Sequence, residues 1–105
     1  MENFIAGNKE NFKELISSNK ITIVDFWAEW CGPCRTQLPI LEQYAKDNED
    51  VQIVKVNVDG NGELASEYGV RSIPTLIYFK NGIVQHKTVG VQQESQLNDI
   101  KSQIL

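Results

Sequence analysis

The chain has 105 residues but only two cysteines and one histidine. A closed structural zinc site takes four ligands drawn mainly from Cys and His, so an all-Cys/His site cannot be completed within it. Nor is the chain a disulfide-stapled scaffold, and at this length it needs no staples to hold a core. Basic residues stand singly (Lys9, Lys13, Lys20, Arg35, Lys46) and form no run, and the net charge is −4 with a pI of about 4.9. Such a surface repels phosphate backbones and anionic lipid, which argues against nucleic acid and membrane surfaces as partners. No apolar run approaches the roughly 20 residues that span a bilayer. Met1-Glu2-Asn3-Phe4 carries no basic segment leading into an apolar one, so no secretory signal is read there and a cytoplasmic, reducing location is expected. Repeats, low-complexity tracts and linkers are missing too, and the expectation is a single domain over residues 1–105, acting as a monomer.

What is present is the patterning of an α/β domain. Phe12, Leu15 and Ile16 recur at helical spacing after Asn8, read as an N-cap. Ile21 to Trp27 is a nearly continuous β-branched and aromatic run that suits a strand buried on both faces. A helix is predicted from about Cys31-Gly32-Pro33-Cys34 through Leu38, Leu41 and Ala45, with Pro39 expected to kink it. Val51 to Val58 reads as a second buried strand, and Leu64, Ala65 and Tyr68 as a short helix closed by Gly69. Thr75 to Phe79 and Ile83 to Val89 are strands joined by Asn81-Gly82, a strong hairpin signal. Leu97, Ile100 and Ile104 mark a last amphipathic helix. The expected order is strand–helix–strand–helix–strand–helix–hairpin–helix. That implies a three-layer sandwich with a mixed sheet covered on both faces.

Cys31 and Cys34 carry the chemistry. In a first helical turn, residues i and i+3 lie on one face with Cβ atoms about 5–6 Å apart, and a small adjustment brings two sulfurs to bonding distance. Pro33 fits because an N-terminal helical position has no intrahelical partner for an N–H. The free N–H groups and positive end of the helix favour an anion at the first sulfur, and the thiolate is the reactive form. A purely structural bridge closing about four residues would contribute only ~2 kcal/mol by chain entropy, and less where thiols are kept reduced. Two ordinary buried thiols would leave the Gly32-Pro33 spacer without a reason. Redox chemistry is therefore the preferred reading. By the same helix-terminus argument Cys31 is the attacking thiolate and the more exposed of the pair, and Cys34 resolves the mixed disulfide.

Phe26-Trp27-Ala28-Glu29-Trp30-Cys31-Gly32-Pro33-Cys34 resembles the signature of the thioredoxin family. The resemblance runs the length of the chain through Val24-Asp25-Phe26, Lys55-Val56-Asn57-Val58-Asp59, Ile73-Pro74-Thr75, Phe79-Lys80-Asn81-Gly82 and Val89-Gly90. Thioredoxins are themselves a reference case for low-pKa C-x-x-C thiols. The resemblance implies a five-stranded mixed sheet flanked by four helices. It also implies a reductase of protein disulfides, with no bound cofactor or metal, recharged by a thioredoxin reductase that uses NADPH. Gly32 and Pro33 look like the spacer of reducing members. Arg35 stands where many members have Lys, and Val91-Gln92 follows Gly90 where a small residue is frequent, which bears on partner preference.

Further roles come from the same likeness. Asp25 lies inside an apolar strand, an expensive place for a carboxylate unless the position is an edge turned to solvent. Burial would raise its pKa toward working pH. The family counterpart exchanges a proton with the buried cysteine, and Lys55 looks like the partner of Asp25. Pro74 is expected to be cis and to face the disulfide, leaving the Ile73 backbone free to pair with an extended substrate segment. Trp30, Gly32, Ile73, Pro74 and Gly90 are the candidate docking surface. Trp27 is expected to pack beside the site, and His86 to be an ordinary solvated residue.

Overall fold

In the computed structural model, which describes residues 4–104, the run Ile21–Trp27 forms the central strand, β2, of a five-stranded sheet. The other strands are β1 (Phe4–Ala6), β3 (Val51–Asn57), β4 (Thr75–Lys80) and β5 (Ile83–Val89), in the order β1-β3-β2-β4-β5. β1 and β2 flank β3 in parallel, whereas β4 runs antiparallel to both β2 and β5. Helices α1 (Phe12–Ile16), α2 (Gly32–Asp47), α3 (Gly62–Glu67) and α4 (Glu94–Lys101) complete the expected three-layer sandwich.

Strand alternation divides the core in two. One face of the sheet gives Val24, Phe26, Val54, Val56, Ile77 and Phe79 to a cluster with Phe12, Ile16, Leu64 and Ala65, from α1 and α3. The other gives Ile21, Ile23, Ile53, Leu76 and Tyr78 to a cluster with Leu41, Tyr44 and Leu97, from α2 and α4. Residues of β2 point to the two faces in turn, so Asp25 follows Ile21 and Ile23 onto the α2 side.

Local signals set most of the boundaries. Asn81 and Gly82 both take positive φ, 53° and 81°, as a two-residue hairpin turn with the right twist requires. Gly69, at φ 67°, ends the segment after α3. The opening strand of the expected order is Phe4–Ala6, three residues of which two are exposed, too short to show a period. Asn8 is displaced from its expected place: Asn11 is the N-cap of α1 and makes no side-chain cap. Instead Asn8 Oδ1 accepts from the amides of Glu10 (2.9 Å) and Asn11 (3.0 Å), and its carbonyl accepts from Phe12 N (3.0 Å). An Asx turn thus leads the chain into the helix. No helix among the described residues is long and apolar enough to cross a membrane.

Candidate active site

β2 ends at Trp27 and the chain turns through Ala28 to Trp30 before α2 begins. Cys31 is the N-cap of α2, in extended conformation, and its sulfur accepts from Cys34 N at 3.2 Å. A sulfur thus does what a Ser or Asp oxygen does at other helix starts. Pro33 occupies the first turn, where its missing N–H removes no helical bond. Cys31 and Cys34 are joined in a disulfide with Cα atoms 5.3 Å apart, inside the usual range. Cys34 is fully buried and Cys31 is 5% exposed, so the first cysteine is the one that touches the surface. Both pack with Ala28, and Trp27 leans against that cluster from its rim.

Around the disulfide the surface is built from its own chain neighbours and two other segments. The Ile73–Pro74 peptide is cis, and the Ile73 carbonyl oxygen lies 3.7 Å from Cys31 Sγ. Gly90, at φ 93°, donates its N–H to the Pro74 carbonyl at 2.9 Å. A side chain at that φ would be strained, which accounts for the glycine. Trp30 is 68% exposed beside the pair, its indole N–H bonded to Asp59 Oδ2 at 2.8 Å. Gly32 and Pro33 are exposed at the helix tip. The fold therefore gathers Trp30, Gly32, Pro33, Ile73, Pro74 and Gly90 around Cys31.

Asp25 is fully buried and neither carboxylate oxygen has a hydrogen-bond partner among the described residues. Desolvation raises its pKa from 3.8 to about 7, against a smaller pull downward from Lys55. Lys55 is aligned with Asp25 across the β2–β3 pair. Yet its ammonium makes no ion pair with Asp25. It sits over the ring of Trp27, 4.4 Å from the centroid, and 5.1 Å from that of Phe4, at the edge of a cleft also lined by Asn57 and Asn61. Its influence on Asp25 is through space.

Two further residues support the site from outside it, without a sequence signal strong enough to single them out. Asp59 follows β3 and orients Trp30. Gln37, one turn beyond Cys34, is a fully buried amide on the core-facing stripe of α2 between Cys34 and Leu41. A polar residue on an apolar stripe was the available clue. His86 is exposed, with its ring 6.0 Å from that of Tyr78.

Comparison with known proteins agrees with this geometry. The thioredoxin family model matches residues 3–103. A thioredoxin of Rickettsia typhi is 48% identical over 87 residues, covering 82% of this chain and 83% of that one. A thioredoxin of Mycoplasmoides gallisepticum is 44% identical over 93 residues, or 89% and 93% of the two chains. Among solved structures, a variant thioredoxin from Halobacterium salinarum superposes with a TM-score of 0.84 at 39% identity, covering 94% of this chain and 87% of that one. The chain accordingly belongs to the thioredoxin family and is a protein-disulfide oxidoreductase whose redox-active group is the Cys31–Cys34 pair.

Proposed function

We propose that the pair works in the reducing direction, as a dithiol that breaks disulfides of client proteins. Cys31, as thiolate, attacks one sulfur of the client disulfide. The other client sulfur leaves as a thiolate, and a mixed disulfide to Cys31 forms. Cys34 then gives up its proton to Asp25 and attacks the Cys31 sulfur, releasing the second client thiol and closing the Cys31–Cys34 bond. Two electrons pass from the protein to the client. They are restored by NADPH through a thioredoxin reductase, so that no cofactor binds this chain. Lys55 moderates the proton affinity of Asp25. Trp30, Gly32, Ile73, Pro74 and Gly90 receive the client as an extended segment, with the Ile73 backbone offering strand-like bonds. A single-domain monomer in the cytoplasm suits this role.

The observation that carries the reading is the position of Cys31: at the N-terminus of α2, against the Cys34 amide, and at the surface beside the Ile73 carbonyl. A helix start with a free N–H aimed at sulfur favours the thiolate. Turbidity of insulin in dithiothreitol tests it. The protein should accelerate precipitation well beyond dithiothreitol alone and the Cys31→Ser variant should not. No acceleration by the unmodified protein would leave a scaffold or binding role in which the cysteines are incidental.

A further inference from the structure

Gln37 is fully buried, and its side chain makes two hydrogen bonds to a single residue 55 positions away. Its Nε2 donates to the Gln92 carbonyl at 3.0 Å, and its Oε1 accepts from the Gln92 amide at 2.7 Å. The primary amide thus imitates the pairing of one strand residue with another. Gln92 lies half-buried between β5 and α4, outside any strand or helix, so its backbone groups have no ladder to pair in.

The position of this clamp closes a ring. α2 carries both sulfur-bearing residues of the site at its start and Gln37 one turn further on. From Cys31 the contacts pass to the Ile73 carbonyl, through Pro74 to the amide of Gly90, and along the chain to Gln92. Gln37 returns the path to α2. The segment Gly90-Val91-Gln92 is held at both ends, by Pro74 and by Gln37.

We propose that Gln37 is a positioning residue for client recognition: it locks the loop after β5 to the helix that bears the cysteines, so that an extended polypeptide meets a loop already in place. The inference rests on the reductase reading and concerns clients that dock through their backbone. A small disulfide, which reaches Cys31 without the loop, has no use for the clamp. Preorganisation of a docking loop appears in binding, so its loss belongs in KM.

The test compares the unmodified protein with Gln37→Met, which keeps the length of the side chain and removes both hydrogen bonds. Rates are measured on insulin and on a small disulfide, hydroxyethyl disulfide, together with the redox potential and amide hydrogen exchange. The expected result is a loss of about tenfold in kcat/KM on insulin, carried by KM, the size of one net hydrogen bond or a little more. The rate on the small disulfide and the redox potential should be unchanged. Exchange at the Gln92 amide should be slow in the unmodified protein and accelerate in the variant, with β2 and β3 amides unaffected. The unmodified protein alone also tests the clamp, so a variant that does not fold leaves the question answerable: a Gln92 amide that exchanges like an open loop overturns the proposal. So does a variant whose Gln92 is freed while KM on insulin stays put, or one in which both substrates slow equally. Failure of the unmodified protein on both disulfides would instead overturn the reductase reading on which it rests.

Discussion

Asp25 holds a carboxyl group that finds no hydrogen-bond partner among the described residues, and desolvation lifts its pKa from 3.8 to about 7. Between those values the folded chain binds a proton that the unfolded chain releases, so stability falls as pH rises from about 4 through about 7, and above that the full penalty is present. Asp25→Ala should therefore raise stability at about pH 8 by on the order of 2–4 kcal/mol, the recovered ionisation cost less a small cavity term. At about pH 4 the advantage should vanish. Urea unfolding at the two pH values checks the sign, and a variant no more stable than the parent at the higher pH would contradict it. The same substitution should slow turnover, and the inflection near pH 7 in the rate of the resolving step should disappear from a single-turnover pH profile. The burial of Asp25 was legible because every neighbour in Ile21–Trp27 is apolar or β-branched except itself. The resting place of Lys55 was not. Strand pairing puts it beside Asp25, but the ring faces of Trp27 and Phe4, from two other strands, decide where its ammonium lies.

At the scale of elements, β2, β5 and α2 follow from local pattern, while the pieces that seat the site come from long-range contact. The three-residue β1 has no period of its own and exists because β3 offers it a parallel edge. Just after it, Gly7 passes so close to β3 that a Cβ would stand 2.6 Å from Val54 Cγ1 and 3.1 Å from Val56 Cγ2. Both valines belong to the packed face beneath α1 and α3 and have little room to yield. Gly7→Ala should cost about 1–3 kcal/mol in denaturant unfolding, as overpacking of a core does, with turnover of the folded protein unchanged. An equal or higher unfolding midpoint would show that β1 can shift without penalty. The Gln37–Gln92 clamp is hidden for the same reason as β1: its partners lie 55 residues apart, and neither segment announces the other. A buried polar residue on the stripe of α2 reveals only that some partner is owed.

Across the whole molecule, three layers bring the sulfurs, the buried carboxyl and the substrate-facing loops to one end of the sheet, where β2 and β3 finish and α2 starts. The order of elements from α1 onward and the two-faced core were legible, since periodicity and turn chemistry agree over that part of the chain. Because the disulfide spans only Cys31 to Cys34, it adds less to global stability than a bridge closing a long loop would. The oxidised form should exceed the reduced form by about 2 kcal/mol in urea unfolding, the chain-entropy value for so short a loop. A much larger gap would mean that the bridge is a structural staple. The division of labour between the sulfurs is tested most directly by mixing the Cys34→Ser variant with a peptide disulfide and reading the adduct by mass spectrometry. A stable one-to-one mixed disulfide on Cys31 is predicted, with none formed by the Cys31→Ser variant. An adduct on Cys34 in the latter, or no adduct in the former, would contradict the assignment of Cys31 as the attacking sulfur.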